Sequence, residues 1–383
     1  MRYSPPMRLP PLAAALLLTA APANAQFEIQ NSHTTASLRG IHSIGGGLAW
    51  ASGTEGAVLR TTDDGANWHI CAVPPNAEHL DFRGIQAFDA ETAIVMSSGK
   101  GDLSRLYKTT DGCKTWKLLF TNPDKEGFWD AVQFSKDRSL GVLLGDPVKN
   151  VFVVMRTFDG GNKWEPQSLH ATEDINGESV FAASNSSLLI SHPGYRRFCT
   201  GGSGGPRVIR LGFGPSDTGE HAPRRLKWDS GLFAERLTSY KQRPSSGCFS
   251  LAEDRTGITV AVGGNYEDPN DKSYNAWTSA FARTSQSDGG SEFHLAQTPP
   301  HGYRSAVAYD ETSKTWITVG PNGTDISRDN GLNWSALQPG SDDQPDADKN
   351  WNALSLPFVA GPKGRIGKLR PNAFSPPTRH SEP

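Results

Sequence analysis

An all-β fold assembled from repeated small sheets is what the sequence predicts, and three observations predict it. The first is a recurring turn motif, Ser/Thr-x-Asp-x-Gly-x-x-Trp. It appears at Thr61–Trp68, at Thr157–Trp164 and at Ser327–Trp334. Thr109–Trp116 keeps the frame with Cys113 in place of Gly, and Gln286–Phe293 is a worn copy. The second is spacing. Asp63, Asp111 and Asp159 lie 48 residues apart, and Asp288 and Asp329 lie 41 apart. A period in this range belongs to propeller blades of four strands each. The third is what precedes each turn: three short runs rich in β-branched and aromatic residues, broken by Gly, Asp and Asn.

Each turn carries its own chemistry. The Asp carboxylate can accept hydrogen bonds from the backbone N–H groups of its own turn. The Gly supplies a positive φ that a side chain resists. The Trp opens the next strand and buries a large ring against the neighbouring sheet. The motif resembles the Asp-box, the signature of one class of β-propeller blades. Because the Asp is consumed by its own turn, it reads as structural rather than catalytic.

Taken in order, blade one is expected at Leu38–Ile41, Leu48–Gly53 and Ala57–Arg60, and blade two at Phe82–Phe88, Thr92–Ser97 and Leu106–Lys108. Blade three follows at Phe128–Val132, Gly141–Gly145 and Val151–Met155. Blade four is expected to open at Glu178–Ala183, to continue through Ser187–Ser191 and Val208–Gly212, and to take Arg225–Trp228 as its outer strand. Blade five holds Phe249–Ala252, Gly257–Val262, a long insertion from Gly264 to Ala276 and the worn turn. Blade six runs from Tyr303 to the turn at Ser327. Blade seven has only three strands before the chain ends: Trp351–Leu354, Phe358–Gly361 and Arg365–Leu369. Its fourth is expected to be Phe27–Gln30, so that both ends of the chain share one sheet and the ring has no free edge. The result is a seven-bladed β-propeller over residues 26–370, followed by a Pro-rich, polar tail at 371–383 that is expected to be disordered.

The first 25 residues read as a secretory signal. Arg2 and Arg8 form the charged region, Ala13–Ala20 the apolar core, and Ala23-Asn24-Ala25 a small-x-small cleavage site. The apolar run is too short to span a membrane. A periplasmic or secreted protein is expected. Losing the two arginines of the leader takes the formal charge from −2 to −4, which gives no reason to expect nucleic acid or an anionic membrane as partner. An exported chain permits disulfides. Sequence order suggests Cys71–Cys113 and Cys199–Cys248 among the three possible pairings, with free thiols as the open alternative. A monomer is expected.

The first strand of each propeller blade lines the central channel, and its start lies at the mouth opposite the repeated turns. The residues there are Arg39, Arg83, Asp130, Glu178, Arg304 and Asn352. They are the candidate binding residues: a ring of mixed charge suited to a polar or ionic ligand, with arginine forks for carboxylates. The competing reading is that they pair with one another and only hold the blades together. The Gly264–Ala276 insertion, with Tyr266, Glu267, Asp268, Asp271 and Lys272, is expected over the same mouth. The spacing of Asp268 and Asp271 matches no calcium loop. The ten histidines show no metal-ligand spacing, and there is no Gly-x-Ser-x-Gly elbow. The glycine-rich stretches at 45–47 and 201–205 open no helix and read as turns. No cofactor, metal or catalytic residue is assigned.

With the repeated turns, the Phe-Arg-Gly-Ile opening at Phe82–Ile85 and the Gly-Pro-x-Gly-Arg-Ile close at Gly361–Ile366, the chain resembles the photosystem II stability and assembly factors and their relatives in non-photosynthetic bacteria. The resemblance covers most of residues 38–370. It implies a seven-bladed propeller that acts as an assembly or protein-binding factor without catalysis, its partner a protein or membrane complex. It also implies arginines on one propeller face, for which Arg39, Arg83 and Arg304 are the counterparts. Sialidases and other glycosidases are similar in carrying such turns, and a sialidase-like hydrolase or a glycan-binding propeller is the alternative. That resemblance would require three arginines on one carboxylate, a Tyr–Glu pair and an acid. Phe82-Arg83-Gly84-Ile85 lacks the Pro of the sialidase Arg-Ile-Pro, and Tyr303, Tyr266 and Glu178 would have to be recruited.

Overall fold

The computed structural model describes residues 26–167, 175, 177–191, 196–211, 232–237, 243–280, 293–340, 343–371 and 373–374. They form seven antiparallel sheets arranged as a β-propeller. Blade 1 is Leu38–Gly45, Leu48–Gly53, Val58–Thr61 and His69–Ile70; blade 2 is Phe82–Ala87, Ala93–Ser97, Arg105–Thr109 and Lys117–Thr121. Blade 3 is Trp129–Phe134, Gly141–Val148, Val151–Thr157 and Glu165–Pro166. Blade 6 is Ala306–Asp310, Thr315–Gly320, Gly323–Ser327 and Ser335–Ala336. Blade 7 is closed as expected: Phe27–Gln30 runs antiparallel to Ile366–Leu369, outside Phe358–Ala360 and Ala353–Ser355.

Blade 4 differs from the expectation in two strands: its second strand is Arg196–Cys199, with Glu178–Ala183 left out, and its outer strand is Leu232–Arg236 rather than Arg225–Trp228. It is built from Leu188–Ile190, Arg196–Cys199, Arg207–Leu211 and Leu232–Arg236. Arg196-Arg197 looks too polar for a strand in sequence, yet Arg196 is fully buried and its guanidinium reaches Gln167 Oε1 at 3.1 Å. Glu178–Ser179 is therefore not the opening strand of blade 4. It pairs with Gly201–Gly202, which extends the inner edge of blade 5 (Ser246–Glu253, Thr259–Asn265, Ala276–Thr278, His294–Leu295). The outer strand expected at Arg225–Trp228, the leader 1–25 and most of the worn turn lie outside the described residues.

The repeated turns are self-clamped. In the first, Asp63 Oδ1 accepts the Asn67 N–H at 2.9 Å and the Thr61 hydroxyl at 2.8 Å, while that hydroxyl accepts the Gly65 N–H at 3.0 Å. The same bonds recur at Thr109/Asp111, Thr157/Asp159 and Ser327/Asp329. The leading Ser or Thr is thus part of the clamp, a role the motif alone did not reveal. These bonds favour the ionised carboxylate and draw Asp63 and Asp111 down to about 2.

Each turn delivers its Trp onto the preceding blade. Trp68 packs edge-on against Phe358 of blade 7, ring centroids 5.6 Å apart. Trp116 packs with Trp50 and Val58 of blade 1, Trp164 with Ile94 and Met96 of blade 2, and Trp334 with Val260 and Val262 of blade 5. Phe293, which ends the worn turn, does the same toward Cys199 and Val208 of blade 4. The apolar core accordingly lies in the seams between blades. Two seams also carry disulfides. Cys71–Cys113 ties blade 1 to the turn of blade 2, and Cys199–Cys248 ties blade 4 to blade 5. Cys113 takes the glycine position of its turn with φ +64°.

The tail expected to be disordered begins packed. Ala373 and Phe374 are buried in the seam of blades 6 and 7, and Arg328 donates to the Phe374 carbonyl at 2.6 Å.

Gly331 has φ +80°, and a Cβ there would meet Val260 Cγ2 at 2.8 Å; Gly257 has φ +87° with open space around it. Urea melts should therefore show Gly257→Ala losing about 1–2 kcal/mol from backbone strain alone. Gly331→Ala should lose roughly 1–3 kcal/mol more, because its methyl group also overpacks the seam. Equal losses would mean that the turn does not press on the preceding blade.

Candidate functional site

The pairing of first and second strands slips by one residue at the same place in four blades. The slip falls between Leu38 and Gly40, Phe82 and Gly84, Trp129 and Ala131, and Cys248 and Ser250. The extra residues are Arg39, Arg83, Asp130 and Phe249. A bulge releases one residue from the ladder and re-aims its side chain. The sequence signal is a triplet, apolar–X–small, that opens three of these strands, Leu-Arg-Gly, Phe-Arg-Gly and Trp-Asp-Ala, and sits two residues into the fourth as Cys-Phe-Ser. The small third residue has a packing cause. A Cβ on Gly40 would come within 3.0 Å of the Arg83 carbonyl, and one on Gly84 within 3.0 Å of Asn185 Oδ1.

Arg39 and Arg83 are neighbours. Arg83 is anchored, with Nε donating to Asp81 at 2.7 Å and Nη1 to the Ala182 carbonyl at 3.2 Å. The Arg39 guanidinium has no hydrogen-bond or ion-pair partner among the described residues, and its Nε is buried. Burial, and then the charge of Arg83, lower its pKa; Asp81 and Tyr303 act in the opposite sense. Beside the arginines stands an aromatic wall. Phe249 stacks on Phe181 at 4.2 Å and meets Tyr303 edge-on at 4.9 Å. Tyr266, from the Gly264–Ala276 insertion, stands across both Phe181 and Phe249 and is about half exposed at 48 %. The insertion is fixed to blade 6, where the Tyr303 N–H donates to the Pro269 carbonyl at 3.0 Å. In the same loop Asp271 Oδ1 is taken by the Ser273 N–H at 2.8 Å.

Asp130 is buried, and neither of its oxygens has a hydrogen-bond partner among the described residues. Burial, with the nearby Asp146 carboxylate, pushes its pKa well up, opposed by Arg83. Burial also pushes Asp146 to about 6, although its Oδ1 accepts the Val180 N–H at 2.9 Å. The segment 182–186 then runs across the inner strands. Asn185 bridges Val132 of blade 3 and Ile85 of blade 2, Ser184 donates to the Ser305 carbonyl, and Ser186 bonds Ser250 of blade 5.

Three of the six residues grouped by sequence are withdrawn from this cluster. Arg304 is fully buried and forks onto Asp325, with further bonds to Asn322 Oδ1 and the Tyr303 carbonyl. Glu178 receives Nε and Nη2 of Arg207 at 2.6 and 2.5 Å. Asn352 donates to the Leu38 carbonyl at 2.8 Å and joins blade 7 to blade 1. The reason is common to the two charged groups: each is buried, and a buried charge persists only when it is paired. With Arg304 held by Asp325 and Glu178 by Arg207, the three-arginine and Tyr–Glu arrangement of a sialidase does not form from the residues the sequence offered. Phe249, which the sequence reading passed over, belongs to the cluster instead.

Comparison with solved structures places the fold. The chain is similar to YCF48 with a bound D1 peptide, at 17% identity over 91% of this chain and 99% of that one, with a TM-score of 0.60. It is also similar to YCF48 from Cyanidioschyzon merolae, at 18% identity over 91% and 99% of the two chains, TM-score 0.58. A GH74 xyloglucanase from Xanthomonas campestris matches at 13% identity over 92% of this chain and 55% of that one, TM-score 0.54. At such identities the likeness shows the propeller fold. No family model and no curated protein matches the chain.

The two arginines should separate by mutation. Arg304→Ala strands Asp325 in the interior and should cost about 3–5 kcal/mol in chemical denaturation, whereas Arg39→Ala should change stability by less than about 1 kcal/mol. The carboxylates set opposite pH slopes. A raised acid favours the folded state only while protonated, so Asp146 should remove on the order of 2–3 kcal/mol as pH rises from 4 through 6 to 7. Asp146→Asn should flatten that loss. Depressed Asp63 and Asp111 stabilise above about pH 4, and their contribution is lost as pH falls toward 2. Thermal melts across pH 2–8 should peak between 4 and 5 in the wild type, with the alkaline arm shallower in Asp146→Asn.

Proposed function

We propose that this chain is an exported, non-catalytic propeller that binds a protein partner through the Arg39–Arg83 and Phe249–Tyr266 face. The partner would present an extended segment with a carboxylate and, in the manner of an assembly factor's client, would be part of a membrane complex. The observation that carries this reading is the Arg39 guanidinium. It is largely buried, has no hydrogen-bond or ion-pair partner among the described residues, and stands beside a second arginine that is already anchored. A free fork beside an aromatic wall suits a carboxylate followed by apolar side chains. The likeness to a YCF48 structure that holds a peptide supports the same choice. Export is supported by the leader-like residues 1–25 and by two disulfides, which persist in oxidising compartments. A periplasmic or secreted location follows from that proposal.

Binding of short fluorescent peptides that end in a free carboxylate, against the same peptides amidated, tests it. Arg39→Ala with Arg83→Ala should weaken carboxylate binding at least about tenfold, since a charge-assisted hydrogen bond contributes about 1.5–3 kcal/mol. Amidation should mimic the double variant. Binding of neutral xyloglucan oligosaccharides in preference to every peptide would replace this reading with a glycan-binding one.

A further inference from the structure

The strand that closes the ring begins at Gln26, and what surrounds that residue is unusual for the interior of a chain. The Gln26 N–H donates to Asp343 Oδ2 at 2.5 Å. The Asp343 side chain is 1 % exposed, and its nearest cation is Arg370, 3.8 Å from Oδ1. The same oxygen that takes the Gln26 N–H also takes the Gly340 N–H at 3.0 Å. The Arg370 N–H donates in turn to the Gln26 carbonyl at 2.9 Å, and Gln26 Oε1 is buried without a partner among the described residues. A buried carboxylate normally has its counter-ion in contact. Here Arg370 pairs with Oδ1 only at 3.8 Å, and the closest position, at Oδ2, is filled by a backbone nitrogen, which is neutral within a chain and an ammonium at a chain start. The residues just before it, Ala23-Asn24-Ala25, fit a small-x-small cleavage site.

We infer that Asp343 is a socket for the α-ammonium of Gln26 produced by cleavage after Ala25, so that processing strengthens closure of the ring. This rests on the export reading proposed above. Cleavage turns a neutral donor into a cation facing Asp343, with Arg370 and, across it, Glu28 as the other charges at the site. The ammonium also offers donors beyond the one that Asp343 takes. A second consequence is chemical. An N-terminal glutamine can cyclise: its neutral α-amine attacks its own side-chain amide carbon, a new C–N bond forms, and ammonia leaves carrying the transferred proton. An ammonium held by Asp343 has no lone pair to attack with, so the folded protein should resist this loss of charge.

The test compares the chain that begins at Gln26 with the same chain preceded by Ala25, each with and without Asp343→Asn. The processed chain should melt a few degrees higher at pH 6. The α-ammonium, its pKa raised by Asp343, contributes fully below about pH 8, the ordinary α-amine value, and is lost as pH rises through the raised pKa. Asp343→Asn should erase the difference between the two chains; that coupling, and not the absolute loss from the variant, is the readout. Mass spectrometry should show ammonia loss from Gln26 several-fold faster in Asp343→Asn than in the wild type. Equal melting of both chains at pH 6, or equal cyclisation rates, would overturn the socket while leaving export standing. An exported protein whose N-terminal sequence starts elsewhere than at Gln26 would overturn the socket alone, and a protein that stays in the cytoplasm with residues 1–25 attached would remove the export reading with it.

Discussion

No blade of this protein can bury its own faces. The tryptophan that each clamped turn places at the start of an outer strand is covered by the blade before it, so every blade completes its neighbour's core. Packing of this kind has no natural end until the last blade meets the first. That constraint accounts for the use of Phe27–Gln30 as the fourth strand of blade 7. It also accounts for Trp68 donating its indole N–H to Gln30 Oε1 at 2.8 Å across the closing seam. The two disulfides lie across seams for the same reason: the seam is where separate sheets could part.

The ring in turn creates the site. First strands that converge on one axis crowd their backbones, and four of them relieve the crowding with a bulge at the same position. A bulge turns out one residue per blade, so four unlike side chains are gathered on one face: two arginines, an aspartate and a phenylalanine. Which of them are available to a ligand is then settled by burial. Arg304 and Glu178 lie deep and have acquired opposite charges. Arg39 has an anchored arginine for a neighbour and, among the described residues, no carboxylate in contact.

The segment 182–186 links that face to the rest of the molecule. It hydrogen-bonds to first strands of blades 2, 3 and 5 and to Ser305 just ahead of that of blade 6, and its Ala182 carbonyl also holds Arg83. Glu178 and Val180, just ahead of it, are tied to Arg207 and Asp146. The irregular course of blade 4 is thus connected to the geometry of the site. A regular fourth blade, as the sequence reading expected, would have left Arg83 without one of its two anchors.

By itself the sequence determined the repeat, the turns, six of the blades and the closing strand. These depend on local chemistry: a Ser or Thr, an Asp and a Gly within five residues, and an aromatic three positions later. It also placed Arg39, Arg83 and Asp130 correctly at the head of first strands, because blade period fixes strand position. Tertiary structure alone decided which charges are free. The partners of Arg304 and Glu178 sit 21 and 29 residues away in the chain, and Asn185 reaches a carbonyl 100 residues distant. Phe249 escaped notice for a related reason. Its membership of the site follows from a one-residue slip in pairing, and a slip is a property of two strands packed in a ring rather than of either strand's composition.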